Sequence, residues 1–99
     1  MSEQEIAAIE FESMEVSVRN ELGLHARPAA KLSQEAQKFE SGITLVMENR
    51  EVDAKSILDV LTLAAPQSCR LTLKAGGKDA HKALKRLARM FRDRFGEEK

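Results

Sequence analysis

The segment Leu22-Gly23-Leu24-His25-Ala26-Arg27-Pro28-Ala29-Ala30 sets an imidazole, a guanidinium two residues later and a proline just ahead of an amphipathic run. Proline is tolerated at the first helical position, where the N–H it lacks would have no intrahelical partner, so this order predicts a helix opening at Pro28. The free N–H groups of the first turn and the positive end of the helix dipole favour an anion there. An imidazole at that spot could attack a phosphoryl group and carry it, with Arg27 sharing the charge. A solvated or capping histidine would explain His25 taken alone. The whole segment is far more specific than a lone histidine.

The elements that must hold this segment follow from the apolar pattern. Met14, Val16 and Val18 alternate with Glu15, Ser17 and Arg19, as in a half-buried strand. Ala29, Leu32, Ala36 and Phe39 share one helical face, and Ser41-Gly42 ends that helix. Ile43, Leu45 and Met47 alternate again, and Glu48-Asn49-Arg50 turns into a short strand around Val52. Ser56 opens a second helix with Ile57, Val60, Leu61 and Ala64, and Pro66 helps to stop it. Cys69, Leu71 and Leu73 form the buried side of the last strand. Gly76-Gly77 breaks the chain, and Asp79 is the expected N-cap of a third helix. That helix carries Ala80, Ala83, Leu84, Leu87, Ala88, Phe91 and Phe95 in its stripe, with Gly96 at C′. The order β-α-β-β-α-β-α, with one apolar face per element, predicts an α+β fold: an antiparallel sheet with all three helices on one face.

The 99 residues fit one domain. Residues 1–12 read as an acidic N-terminal extension that need not be ordered, although Ile6, Ala7, Ala8 and Ile9 could order part of it; residues 13–99 form the domain. Lys plus Arg and Asp plus Glu are both 16, so net charge gives no pull toward nucleic acid or membrane. The third helix is basic, with Lys82, Lys85, Arg86, Arg89, Arg92 and Arg94 following at its end, but all four aromatics are phenylalanines outside the strand cores. A solvated face is therefore expected rather than a nucleic-acid surface. Cys69 is the single cysteine, which excludes an intrachain disulfide. No signal segment or membrane-spanning run is present, so a cytoplasmic protein is expected, without direct membrane insertion. No metal-ligand cluster, phosphate-binding glycine loop or catalytic triad competes with His25; neither cofactor nor metal is expected. His81 reads as structural or idle.

Two segments and their spacing carry a resemblance. Gly23-Leu24-His25-Ala26-Arg27-Pro28-Ala29-Ala30 resembles the phosphorylation segment of the HPr family, histidine phosphocarriers of the bacterial phosphoenolpyruvate-dependent phosphotransferase system. Asp53-Ala54-Lys55-Ser56-Ile57-Leu58 resembles that family's regulatory-serine segment, with Lys55 30 positions after His25. The likeness spans roughly residues 14–95. It implies an HPr-like open-faced β-sandwich, a four-stranded antiparallel sheet with three helices packed on one face. It also implies a monomer that accepts a phosphoryl group from phospho-enzyme I on His25, at Nδ1, with Arg27 stabilising it. His25 would pass the group to an EIIA-type protein of the sugar phosphotransferase system. Such a carrier has no turnover of its own. The alternative within the family is a regulatory, nitrogen-type paralogue whose phosphorylation state controls partner proteins.

Ser56 has two readings. Ser56 and Asp59 make a variant capping box, which accounts for the serine structurally; the resemblance implies a target for an HPr kinase/phosphorylase. The expected docking surface comprises Leu24, Ala26 and Ala30 around the histidine, with Ile57, Leu58 and Leu61 on the second helix. Leu58 lies off the Ile57–Leu61 line, and an exposed apolar patch beside a phosphoryl site would be a docking surface. The chain departs from the family in its extension, in Asp59, and in Ala64-Ala65-Pro66-Gln67-Ser68, where many members use glycine.

Overall fold

The computed structural model describes residues 11–99. Ile6, Ala7, Ala8 and Ile9 lie outside the described residues. The elements are β1 (Phe11–Ser17), α1 (Ala26–Ala36), β2 (Gly42–Met47), β3 (Arg50–Asp53), α2 (Ile57–Thr62), β4 (Arg70–Gly76) and α3 (Ala80–Arg92), followed by a 3₁₀ turn at Arg94–Gly96. The expected order holds. The sheet runs β1-β4-β2-β3, and every pair is antiparallel. Phe11 and Glu12, assigned above to the extension, pair with Gly76 and Ala75.

Register explains the layers. Val16 faces Leu71, Met14 and Leu45 both face Leu73, and Ile43 faces Ala75, so the apolar residues of three strands share one side. Against that side pack Ala29, Leu32 and Ala36 of α1, Val60 of α2, and Ala83, Leu84, Leu87 and Phe91 of α3, all buried. The other side is polar and open, crossed by Lys74–Glu51 at 3.1 Å and Arg70–Glu15 at 3.5 Å. Glu35 of α1 joins the helices through Arg86 of α3 at 3.0 Å, and its pKa is lowered by hydrogen bonds from Lys38 and Arg86.

Several local expectations change. The first helix begins at Ala26, which makes Pro28 its third residue; the missing N–H still falls among the unsatisfied donors of the first turn. It ends at Ala36, and residues 37–41 turn before β2. Cys69 precedes β4 and is half-buried rather than core; burial pushes its thiol pKa up. Phe95 lies beyond α3 with φ 52°, yet still packs edge-on against Phe91, centroids 4.9 Å apart. Gly96, with φ 84°, closes the 3₁₀ turn rather than the helix. In the loop after α2, Ala64 and Ser68 adopt φ 47° and 72°, the left-handed region that a Cβ disfavours.

Asp79 is at the N-cap of α3 but makes no capping bond to it. Its carboxylate accepts instead from the backbone N–H groups of Glu40 and Ser41, each at 2.9 Å, and from the Ser41 hydroxyl. The Ser41 hydroxyl and the two backbone donors lower its pKa to about 2. A carboxylate depressed in the folded state contributes stability above its ordinary pKa and loses it as pH falls through the folded value. Thermal melts should therefore show Asp79→Asn less stable than the wild type at neutral pH, with the difference closing between about pH 4, the ordinary value, and pH 2. A pH-independent difference would assign the loss to geometry instead of charge.

Candidate functional site

The loop before α1 is shaped by one glycine. Gly23 has φ 72°, and a Cβ there would lie 2.4 Å from the Ala65 carbonyl oxygen. The close approach lets the Leu24 N–H bond that carbonyl at 2.9 Å. Gly23 N–H closes the preceding turn onto Asn20 O, also at 2.9 Å. The turn sends Leu24 into the core, where it is 3% exposed, and leaves Leu22 outside at 76%. Leu24 was expected on the docking surface; it is a core residue, because the left-handed turn points it inward.

His25 is the N-cap of α1, with extended backbone (φ −77°, ψ −171°) and no side-chain capping bond. Its carbonyl takes the first helical bond, from Ala29 N–H at 2.9 Å. The N–H groups of Ala26 and Arg27 have no intrahelical acceptor, so an anion bound at the imidazole would meet them and the positive helix end. The imidazole is 30% exposed, enough for a partner to reach. Arg27 is exposed beside it. Both line an open cleft of about 500 Å³ together with Glu21, Leu22, Lys31 and Glu97.

Glu97 was not anticipated. Its Oε1 lies 3.2 Å from His25 Nε2 and accepts a hydrogen bond from the Asn20 side-chain amide. Its pKa is lowered, first by the Asn20 hydrogen bond and then by His25, with a smaller contribution from the Arg27 charge. The tail carrying it is fastened at three carbonyls: Arg19 donates to Arg92 O, Asn20 to Arg94 O and Lys31 to Phe95 O, at 2.9, 2.8 and 2.8 Å. An asparagine three residues ahead of the turn glycine was the one sequence signal that could have pointed to it.

The second segment is placed elsewhere. Ser56 is the N-cap of α2, its Oγ accepting from Asp59 N–H at 3.3 Å, so the capping reading holds. The start of α2 is tied to the end of α1: Gln37 donates to Lys55 O at 2.9 Å and Lys55 to Phe39 O at 2.7 Å. The end of α2 leads to Ala65, which bonds Leu24 beside the histidine. The two helices are thus antiparallel, and Ser56 is separated from His25 by about the length of α1, roughly 16 Å for its 11 residues. Of the docking candidates, Ala26 and Leu58 are exposed, while Ala30, Ile57 and Leu61 are half-buried. His81 is exposed on α3, its Nδ1 3.6 Å from Glu12, outside the cleft. Among the described residues no cluster of His, Cys, Asp or Glu could hold a metal ion, and no helix is long and apolar enough to cross a membrane.

The two leucines should separate cleanly in chemical denaturation. Leu24→Ala should lower unfolding free energy by about 2–5 kcal/mol, as for a buried leucine. Leu58, 74% exposed, should change it by less than about 0.5 kcal/mol when replaced by alanine. Equal losses would place Leu58 in the core.

The profile of a family described as "PTS HPr component phosphorylation site" matches residues 12–93. A phosphocarrier protein HPr from Xylella fastidiosa is 46% identical over 84 residues, covering 85% of this chain and 94% of that protein. A multiphosphoryl transfer protein of Haemophilus influenzae is 42% identical over 84 residues, covering 82% of this chain and 17% of its own length. Among solved structures, an HPr from Thermoanaerobacter tengcongensis superposes with a TM-score of 0.85 at 39% identity, covering 89% of this chain and 99% of that one.

Proposed function

Because the chain belongs to the HPr family of phosphocarriers of the phosphotransferase system, we propose that His25 is its phosphoryl acceptor, charged by phospho-enzyme I and discharged to an EIIA-type protein in sugar uptake. The observation that carries this reading is an imidazole at the uncapped N-terminus of α1, beside Arg27 and open to a partner. Nε2 faces Glu97, which leaves Nδ1 as the nitrogen available for attack. Its lone pair takes the phosphorus as the donor's bond to phosphorus breaks. The phosphoryl oxygens then meet the N–H groups of Ala26 and Arg27 and the Arg27 guanidinium. Phosphoryl transfer depends mainly on positioning and charge stabilisation, so this small apparatus suffices once a partner supplies the other half.

Incubation with enzyme I and phosphoenolpyruvate should label the protein at His25, with a label stable in base and lost in acid. His25→Ala should abolish it and His81→Ala should not. Arg27→Ala should fold normally and slow the transfer by the equivalent of ~2–4 kcal/mol on the barrier, the scale of a lost oxyanion donor. Labelling that survives His25→Ala overturns the assignment.

Ser56 is the second control point, a capping serine exposed enough for a kinase of the HPr kinase/phosphorylase type. A phosphate adds roughly −1.5 to −2 charges at pH 7, and the N-terminus of α2 tolerates negative charge. With Ser56 a helix length from His25, the charge acts on the partner's footprint, where Ile57 and Leu58 must be desolvated. Ser56→Asp should keep the melting temperature and weaken binding of enzyme I, raising KM more than it lowers kcat. Ser56→Ala should cost about 1 kcal/mol of cap stability and leave His25 active. Unaltered phosphorylation of Ser56→Asp at limiting concentrations would leave Ser56 a helix cap alone.

A further inference from the structure

We propose that Glu97, held by Asn20, is a positioning residue that fixes the tautomer of His25 and takes up the positive charge the imidazole gains on phosphorylation. The proposal rests on the carrier reading of His25 and names how that site is held ready.

An ionised carboxylate only accepts hydrogen bonds, so the 3.2 Å contact of Oε1 with Nε2 is a hydrogen bond only when the ring proton sits on Nε2. That tautomer leaves the lone pair on Nδ1. The carboxylate is not a free surface group. Asn20, fully buried, donates through one amide nitrogen to both Glu97 Oε1 and Arg94 O. Lys31 holds the next carbonyl, that of Phe95, at 2.8 Å. The Asn20 bond also keeps Glu97 ionised, lowering its pKa.

The same contact stabilises the reaction. When Nδ1 attacks, a nitrogen–phosphorus bond forms and the donor's nitrogen–phosphorus bond breaks, its electron pair returning to the donor imidazole. The proton on Nε2 stays in place, and the His25 ring becomes cationic. A carboxylate on that N–H strengthens as the charge develops, the role an aspartate plays for the histidine of a hydrolase triad. Donation to the next protein reverses every step, so the effect applies in both directions. Repulsion between carboxylate and phosphoryl opposes it, but across the ring and into solvent, whereas the attraction acts at hydrogen-bond distance.

The test compares wild type, Glu97→Gln, Glu97→Asp and Asn20→Ala, with Glu15→Gln, an exposed carboxylate on the open side of the sheet, as control. Ring nitrogen NMR shifts of the neutral imidazole should show the Nε2–H form dominant in the wild type and a mixture in Glu97→Gln. The rate of phosphorylation by phospho-enzyme I should fall about tenfold in Glu97→Gln, the scale of one charge-assisted hydrogen bond, in kcat and with KM unchanged. Asn20→Ala should move both readouts in the same sense. Glu97→Asp, which keeps the charge on a shorter stem, should restore part of each. Glu15→Gln should match the wild type. If His25 of the wild type is labelled and Glu97→Gln equals it in tautomer and rate, or accepts faster, the Glu97 assignment is overturned. If the wild type is not labelled at His25, the carrier reading itself fails, whatever the ring shifts show.

Discussion

The site exists because the chain after α3 turns back across the start of α1. That return uses three consecutive residues with positive φ, Arg94, Phe95 and Gly96, two of which carry a Cβ. Left-handed backbone costs a residue with a Cβ about 1–2 kcal/mol, so the turn starts roughly 2–4 kcal/mol in deficit. Burial of Phe95 against Phe91 returns about 1.5–3 kcal/mol. The bonds from Arg19, Asn20 and Lys31 to three carbonyls add about 1 kcal/mol each. Burial of Phe95 alone does not cover the strain, and it is these side-chain bonds that tip the balance toward the turn. Asn20 is the central fastening, kept although its Oδ1 is buried without a partner, itself a cost of about 1–3 kcal/mol.

The cleft is wide and shallow, and that suits the chemistry. A carrier must present one nitrogen to a donor and then to an acceptor, so a deep enclosing pocket would exclude both. The structure instead secures the back of the imidazole and leaves its front open. Helix geometry supplies two N–H groups, the sequence neighbour supplies Arg27, and the tail supplies a carboxylate on the far nitrogen. In the proposed transfer, water exclusion and the rest of the charge balance fall to the partner protein.

The placement of His25 and Arg27 at the start of α1 was legible because their neighbourhood is local: a proline, a small-residue run and a change from strand to helix period mark the spot. The sheet was legible for the same reason, since alternation in three short segments, with a turn into the fourth, survives folding. Glu97 was hidden, being 72 positions from His25 and delivered by a left-handed turn that no periodicity announces. Leu24 was misread as surface because its neighbours are site residues, while its direction is set by Gly23 φ, a quantity absent from composition. Asp79 has the sequence signature of a cap, but two backbone N–H groups and a hydroxyl from the turn after α1 compete for its carboxylate and win. In each miss a contact distant in sequence overrode a local preference.

The antiparallel pairing of α1 and α2 also limits how the two chemically interesting residues can influence each other. His25 stands at the N-cap position of α1, whereas Ser56 is tied, through Lys55, to Gln37 and Phe39 at its end. Between them α1 presents Ala29, Leu32 and Ala36 to a packed core, and close-packed interiors deform little under a surface charge. At roughly 16 Å, the length of α1 from its 11 residues, and through solvent, direct Coulomb coupling is largely screened at physiological salt. A change at Ser56 therefore reaches His25 only through a body that touches both ends of the helix. Leu58, exposed two residues after Ser56 in the first turn of α2, is where such a body would register the charge.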